Sequence, residues 1–433
     1  MSDEEMVMTA VITPQELHAR YQGTFGRAGG YLPRNPLAVD EFHKSIAPRA
    51  ADLRKDLDPA VQDLADFIHS DLTVRMYVTN MLAEVPEQHR HIHTVDDLVE
   101  HLNAIVRWAP AYNRNPLHQI FLPMSALFGY MRLTPSGSVL FRMPQFNDKL
   151  RPVLRNWCDY LNSEDSAHVL HTREGGWFSQ PATEMNKLYE YQCWDRRDEK
   201  HWGFTSFNDF FHRPIKDEFR PLGGNGDPGV VAPNDGTVYN VQRRVARETD
   251  FWLKEQYSLT DMLHGPQCGD EYVSTFVGGD VYQSFLSVHS YHRWHVPVDG
   301  TVKHLEIVPG LMFSAAWNET PDPTTWTHSQ SYQAHINTRG LAFIECSEEL
   351  GRRMVCAVVI GMEEVSSIDW SVGVGDTVQR GQELGYFSYG GSSMALVFEQ
   401  GIVDEFTVPF NNPHEHPDDG PTVFVRSQIA RAA

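Results

Sequence analysis

The chain has 433 residues, of which 41% are hydrophobic and 21% charged, a balance typical of soluble globular proteins with two or three domains. Its formal net charge of -21 is expected to repel nucleic acid and anionic lipid headgroups, so neither is a predicted partner. The sequence has no run of about 18 apolar residues and no signal-peptide pattern. Five cysteines without a Cys-x-x-Cys pair indicate reduced thiols. These features predict a cytoplasmic protein without stable membrane insertion, and they leave its oligomeric state open.

Helical signals dominate the first half of the chain. Apolar residues recur at the spacing of one helix face between residues 59 and 83, namely Val61, Leu64, Ala65, Ile68 and Leu72. Thr94 and Asp97 form a capping-box pattern, which predicts the start of a helix. Residues 144–162 predict another helix, with Pro144 near its start. We therefore expect residues 1–195 to form a helical N-terminal domain.

Short β-type runs separated by Gly, Asp and Pro follow residue 200. The turn-rich segment 221–229 precedes them, and two later segments, 233–238 and 297–302, share an Asp-Gly turn before a Thr-Val strand start. A further segment, 374–385, resembles the hairpins of lipoyl- and biotin-carrier domains. The fold class is therefore predicted to be α+β, with a mostly antiparallel β domain of barrel-like hairpins over residues 200–433.

Two glycines precede two serines at residues 390–393, and an apolar stretch follows them. A plain turn is the ordinary interpretation of this pattern. The chemical interpretation is that glycine permits a strained backbone and leaves room for a serine hydroxyl to attack the preceding carbonyl.

Histidines recur at spacings of three at His289, His292 and His295. The pattern is not that of a zinc helix, so no metal site is predicted, and buried structural histidines remain the alternative to proton carriers. Asp235 lies in an Asn-Asp-Gly sequence that by itself indicates a hairpin turn. Together, however, an Asp, a His and a Ser form the set that activates a hydroxyl nucleophile. Asp299 has the same local motif as Asp235 and is interpreted as a turn residue.

Five segments occur in a fixed order along the second half of the chain. They are Phe204–Arg213, Ala232–Gly236, Phe285–Ser287, Tyr291–Pro297, and Gly385–Phe387 followed by Gly391–Ser393. These segments resemble the signatures of the phosphatidylserine decarboxylase superfamily, including its Y-H-R-x-H-x-P and G-S-T stretches. The sequence departs from those signatures at Ala232, Ser393, residues 337–339 and residues 360–362. The last two departures lie near the expected substrate side, so they bear on the substrate more than on the reaction.

The resemblance implies that the chain cleaves itself between Gly391 and Ser392. In the family, Phe stands six residues after the cleaved serine, and Phe398 assigns that role to Ser392 rather than Ser393. Ser392 would become a pyruvoyl group, the electron sink for decarboxylation, so pyridoxal phosphate is not expected. The two fragments, residues 1–391 and 392–433, would remain associated.

The resemblance also implies roles for the histidines and the aspartate. His295, oriented by Asp235, would remove the proton of the attacking hydroxyl, and His292 would protonate the carbanion left by carbon dioxide. Asp235, rather than Asp299, occupies the family position of the aspartate in the Asp-His-Ser triad.

The long helical region resembles the soluble fungal L-tryptophan decarboxylase branch of this family. That resemblance implies a soluble aromatic L-amino acid as the substrate, L-tryptophan or a close analogue. The alternatives are a phosphatidylserine decarboxylase and a structural pseudoenzyme that does not cleave itself. A carrier domain is a further alternative, but carriers present a modifiable Lys at a turn, and residues 365–400 contain none.

Overall fold

The computed structural model describes residues 32, 36–115, 118–223, 229–254, 256–286, 291–314, 316, 329–364, 367–389, 392–408 and 422–433. His289 and Gly391 lie outside these residues. In the first half of the chain, α-helices span α1 Pro36–Leu53, α2 Pro59–Ser70, α3 Leu72–Glu84, α4 Val95–Ile105, α5 Pro123–Phe128, α6 Pro135–Leu140, α7 Pro144–Asn162 and α8 Gln180–Met185. Short 3-10 turns connect several of them.

Local capping explains where these helices begin. The Thr94 hydroxyl accepts from Asp97 N while the Asp97 carboxylate accepts from Thr94 N, so the predicted capping box at the start of α4 is confirmed. The predicted helix over residues 144–162 is also confirmed. The single helix expected around residue 72 is instead two, because the Asp71 side chain accepts from Thr73 N and Val74 N and starts α3. Leu72, assigned to the apolar face, is 71% exposed there.

The second half contains short helices and the strands of three sheets. The helices are α9 Phe207–Phe211, α10 Phe251–Lys254, α11 Leu259–Leu263, α12 Asp270–Phe276 and α13 Gln330–Ile336. The strands are β1 Gly229–Val231, β2 Gly236–Gln242, β3 Asp280–Leu286, β4 Arg293–His295, β5 Gly300–Val308, β6 Arg339–Cys346, β7 Met354–Gly361, β8 Ile368–Trp370, β9 Thr377–Val378, β10 Glu383–Phe387, β11 Ser392–Phe398, β12 Val403–Phe406, β13 Thr422–Val423 and β14 Gln428–Ala432.

The largest sheet has the order β13-β2-β3-β11-β7-β6-β5-β9, and the two smaller sheets are β1-β14-β12 and β4-β10-β8. All neighbouring strands among the described residues pair antiparallel. The predicted α+β class with antiparallel sheets is therefore confirmed, and both predicted Asp-Gly turns precede strands, β2 and β5.

The expected barrel-like closure is not confirmed, because none of the three described sheets closes on itself. The predicted hairpin at residues 374–385 shows why. Its first strand, β9, pairs with β5 in the large sheet, whereas β10 pairs with β4 and β8 in a small one. Gly381 between them has a φ of +81°, a left-handed conformation that glycine accepts readily. The turn thus transfers the chain between sheets.

Strand β11 is the central element of the large sheet, and its side chains alternate between two hydrophobic clusters. Ala395 and Val397 join the cluster that includes the helical region, and Met394, Leu396 and Phe398 join the cluster beneath the smaller sheets. The alternation follows from the two-residue repeat of a strand. The helical region and one face of the large sheet therefore share a continuous core.

Candidate active site around Ser392

Ser392 is the first residue of β11, and it lies between two neighbouring strands. It pairs with Leu286 at the end of β3 and with Gly361 at the end of β7. The residue is fully buried. Ser392 therefore lies where the ends of three adjacent strands, β3, β11 and β7, meet.

The hydroxyl groups of Ser392 and Ser393 have different surroundings. Ser393 Oγ lies 3.0 Å from Ser284 O and 3.1 Å from Gln330 Oε1, and it accepts from Gln283 Nε2 at 2.8 Å. Ser392 Oγ is buried and has no hydrogen-bond partner among the described residues. A buried hydroxyl without a partner is costly for folding, so such groups are often kept for chemistry.

Two backbone contacts connect the chain near His292 to the chain near Ser392. Leu286 pairs with Ser392, and six residues later the His292 carbonyl accepts from Phe387 N at 3.1 Å. The buried His292 ring stacks on Phe211, with ring centroids 4.0 Å apart. Phe211 belongs to α9, so the Phe204–Arg213 segment supplies the surface on which this histidine packs.

His295 ends β4, and both of its ring nitrogens contact other groups. Nδ1 lies 2.8 Å from Gly381 O, and Nε2 lies 3.1 Å from the Tyr291 hydroxyl. A carbonyl only accepts, so Nδ1 carries the proton and Nε2 presents its lone pair. Burial lowers the pKa of His295 to about 4. The hydrogen bond to Gly381 favours the charged ring and raises the pKa, but its effect is smaller than that of burial. At neutral pH the ring is therefore a neutral base with a fixed tautomer.

Asp235 precedes β2 and binds a buried arginine. Arg220 donates to both of its carboxylate oxygens at 2.6–3.0 Å, and Val425 N donates to Oδ1 at 2.8 Å. Arg220 also reaches Glu190 at 3.1 Å. In this structure Gly381, and not Asp235, accepts from His295. The sequence-based expectation that Asp235 orients His295 thus differs from the hydrogen bonds observed.

Three residues of this arrangement were not assigned from the sequence: Arg220, Gly381 and the hydroxyl-bearing Tyr291. Tyr291 stands within the Y-H-R stretch, so the sequence contained a signal for it. Arg220 had no such signal, because the sequence around an arginine does not show whether its side chain is buried or exposed. Asp299, by contrast, is half-buried and accepts from Arg380 N at 2.8 Å, as expected for a turn residue.

A second buried polar cluster adjoins the end of β7. Glu363 contacts Arg132 from the helical region and accepts from Ser125 Oγ at 2.8 Å. Glu364 accepts from Met124 N and from Ser125 N, the latter at 3.1 Å. Burial raises the pKa of Glu364 well above its usual range. Glu363 and Glu364 stand two and three residues after Gly361, which pairs with Ser392. The cluster therefore holds in place the segment that follows the pairing partner of Ser392.

Two family models, both described as phosphatidylserine decarboxylase, match residues 58–186 and 207–421. The decarboxylase iboD from Amanita muscaria is 38% identical over 298 residues, which cover 64% of this chain and 83% of that protein. The L-tryptophan decarboxylase of Psilocybe cubensis is 30% identical over 413 residues, which cover 88% of this chain and 91% of that protein. A phosphatidylserine decarboxylase proenzyme from Chlamydia muridarum is 33% identical over 223 residues, covering 51% and 67% respectively.

The chain therefore belongs to the phosphatidylserine decarboxylase family, a family that depends on a pyruvoyl group. It is a decarboxylase, and it shares extensive similarity with fungal relatives across both halves of its sequence. The buried Ser392 hydroxyl, which the described residues leave without a partner, fits the precursor of such a group. Within the described residues, no helix combines the length and the apolar composition needed to cross a bilayer.

Proposed function

We propose that the chain cleaves itself at the Gly391–Ser392 bond and then decarboxylates a soluble aromatic L-amino acid, L-tryptophan or a close analogue. The observation that supports the cleavage site is the contrast between the two serines. The Ser393 hydroxyl is engaged by three polar groups, whereas the Ser392 hydroxyl has no partner among the described residues.

In the proposed cleavage, Ser392 Oγ attacks the Gly391 carbonyl carbon and gives up its proton to His295 Nε2. The amide C–N bond breaks as the Ser392 nitrogen takes that proton from His295 and becomes a free amine, and an ester joins the Gly391 carbonyl to the serine oxygen. Loss of the Ser392 α-proton then expels the Gly391 carboxylate and leaves dehydroalanine. Water replaces the nitrogen as ammonia, which yields the pyruvoyl group without an external oxidant or reductant.

The roles of the polar residues follow from their contacts. Gly381 O holds the His295 tautomer, so Nε2 can take the proton once the Tyr291 hydroxyl yields its position. Arg220 holds Asp235 as a fixed negative charge, which favours the imidazolium form that cleavage produces. The pyruvoyl carbonyl supplies the electron sink for loss of carbon dioxide. His292 would deliver a proton to the carbon from which carbon dioxide departs, and its packing on Phe211 holds the ring in place for this role.

Strand pairing supports the proposal that the fragments stay together after cleavage. In the 392–433 fragment, β11 pairs with β3 and β7, and β14 pairs with β1 of the larger fragment. Cleavage before Ser392 leaves all of these ladders intact. The mature enzyme is therefore proposed to be a non-covalent complex of the two fragments.

The substrate proposal rests on the extent of the similarity. The relationship to the Psilocybe L-tryptophan decarboxylase covers 88% of this chain, including its helical region, whereas that to the Chlamydia proenzyme covers 51%. A net charge of -21 also disfavours approach to anionic lipid surfaces.

Intact-protein mass spectrometry and product analysis test the two parts separately. The purified chain should give a 42-residue C-terminal fragment blocked by pyruvoyl, Ser392→Ala should stay uncut, and Ser393→Ala should still be cut. An uncut wild-type chain after long incubation would favour the pseudoenzyme interpretation. The cleaved enzyme should convert L-tryptophan to its amine, and turnover of phosphatidylserine in mixed micelles with no turnover of aromatic amino acids would overturn the substrate proposal.

A further inference from the structure

A cysteine, a histidine and a glutamate converge at a place that the decarboxylation chemistry does not use. Each of Cys268, His304 and Glu306 offers one ligand atom, and these atoms all lie within 4.8 Å of one another. His304 and Glu306 are two residues apart on β5, so their side chains leave the same face of the strand. Cys268 comes from the loop before α12, which covers that face.

The surroundings hold these groups in place. Gln267 N donates to Glu306 Oε1 at 2.8 Å, which leaves Oε2 directed at His304 Nε2, 3.3 Å away. A Cβ at Gly265 would lie 2.8 Å from both Glu306 Oε2 and Val308 Cγ2, so a larger residue there would displace these side chains. A backbone donor that orients one carboxylate oxygen while the other stays available is the arrangement found around metal ligands.

The loop that presents Cys268 is itself fixed by a buried arginine. Arg339 Nε donates to Met262 O at 2.7 Å, and Nη2 donates to His264 O at 3.0 Å. Cys268 and the Glu306 carboxylate are buried, whereas His304 is partly exposed. The cluster thus has a closed inner side and one side that opens toward solvent.

We propose that Cys268, His304 and Glu306 form a binding site for a divalent metal of the zinc class, with water as a fourth ligand. Thiolate, imidazole and carboxylate together are the ligand types that zinc takes, and three protein ligands leave one position open. Zinc bonds of about 2.0–2.3 Å place tetrahedral ligand atoms roughly 3.5 Å apart, so side-chain shifts of about an ångström close the site.

The role of the metal is to fasten the loop to the sheet rather than to take part in decarboxylation. β5 is three strands away from β11, about 14 Å at the usual strand spacing of about 4.8 Å. Cys268 would bind the metal as a thiolate, so metal binding would displace the thiol proton.

Cobalt(II) titration of the full-length, metal-stripped protein tests the site. The wild type should bind one Co²⁺ per chain, with a thiolate-to-cobalt band in the near ultraviolet and visible bands of tetrahedral intensity. Cys268→Ser should abolish the thiolate band. His304→Ala, which alters only a partly exposed ring, should weaken binding by roughly 100-fold, because it removes a ligand.

His264→Ala is the matched control, since His264 is an exposed histidine of the same loop that lies outside the cluster. It should keep the spectrum and the stoichiometry, and added Zn²⁺ should raise the thermal unfolding midpoint of this variant and of the wild type but not of His304→Ala. Absence of the thiolate band from the wild type, or its persistence in Cys268→Ser, would show that the three groups are only a hydrogen-bonded cluster.

Discussion

His295 combines two features that suit it to act as a base. Burial keeps its ring neutral at pH 7, and the Gly381 carbonyl fixes the proton on Nδ1. His292 lies in a different setting: its ring stacks on Phe211, and its backbone carbonyl accepts from Phe387 N. The two histidines are therefore expected to serve different stages of the reaction.

Substitution of each histidine separates these stages. His295→Ala should prevent the appearance of the 42-residue fragment, because the serine proton then has no acceptor. His292→Ala should be cut normally but should lose decarboxylation by roughly 10²–10⁴-fold, the usual contribution of a positioned acid. Mass spectrometry reports cleavage, and amine release measured on the same sample reports turnover. Equal loss of both activities in His292→Ala would contradict this division.

Asp235 and Asp299 share a sequence motif but not an environment. Among the described residues, Asp235→Asn leaves Glu190 as the remaining carboxylate in contact with the buried Arg220, and it removes the fixed negative charge near His295. We expect it to destabilise the fold by about 3–5 kcal/mol and to slow cleavage. Asp299→Asn is the control, and it should cleave at the wild-type rate because its carboxylate is half-buried and accepts from the backbone N–H of Arg380. Urea denaturation and the time course of fragment release measure the two effects. Normal maturation of Asp235→Asn would remove Asp235 from the mechanism.

At the level of elements, the sequence predicts what depends on neighbours along the chain. The capping box at Thr94, the helix over residues 144–162 and the Asp-Gly starts of β2 and β5 all have local causes, and the structure confirms them. The barrel-like closure depended on which strands pair, and a local hairpin pattern does not contain that information. Strands β9 and β10 accordingly join different sheets.

The site shows the same division between local and long-range causes. Ser392, His292 and His295 stand in local motifs that the sequence displays, although their catalytic roles remain predictions. The contacts of Arg220 and Arg132 join residues 15 and 231 positions apart, and neither arginine has a local signature. Buried charge pairing of this kind follows from tertiary packing alone.

The buried ion pair between Arg132 and Glu363 is one of the contacts that join the helical region to the end of β7, beside the hydrogen bonds of Ser125. Arg132→Met would leave the Glu363 carboxylate buried without its cation, because both side chains are almost completely inaccessible. We expect a loss of about 3–5 kcal/mol in the free energy of unfolding, and partial recovery when Glu363→Gln is added. The exposed pair Arg431–Glu405 is the control, and Arg431→Met should cost less than about 1 kcal/mol. Similar losses for the two arginine variants would show that the buried pair does not join these elements.

Acid sensitivity is a property of the whole molecule, because the histidines that cause it lie in both halves of the chain. Burial lowers the pKa of His43 and His335 to about 3, and that of His212 and His295 to about 4. Unfolding returns each of them to about 6.5, so near pH 5 the unfolded state binds four more protons at these sites. The stability that these four neutral histidines contribute is fully present above pH 6.5 and declines as the pH falls toward 3–4.

Glu364 acts in the opposite direction, since its raised pKa keeps a proton in the folded state that the unfolded chain releases above about 4.5. For these five groups the net uptake of about three protons near pH 5 predicts a loss of roughly 4 kcal/mol of stability per pH unit. Urea denaturation of the uncleaved Ser392→Ala chain between pH 5 and 7.5 measures this slope without interference from cleavage. His43→Leu should reduce it by roughly 1.4 kcal/mol per pH unit, because one of the four sites is lost. Substitution of the exposed His93 by Gln should leave the slope unchanged, and a slope that His43→Leu does not alter would mean that the ring already binds its proton in the folded state.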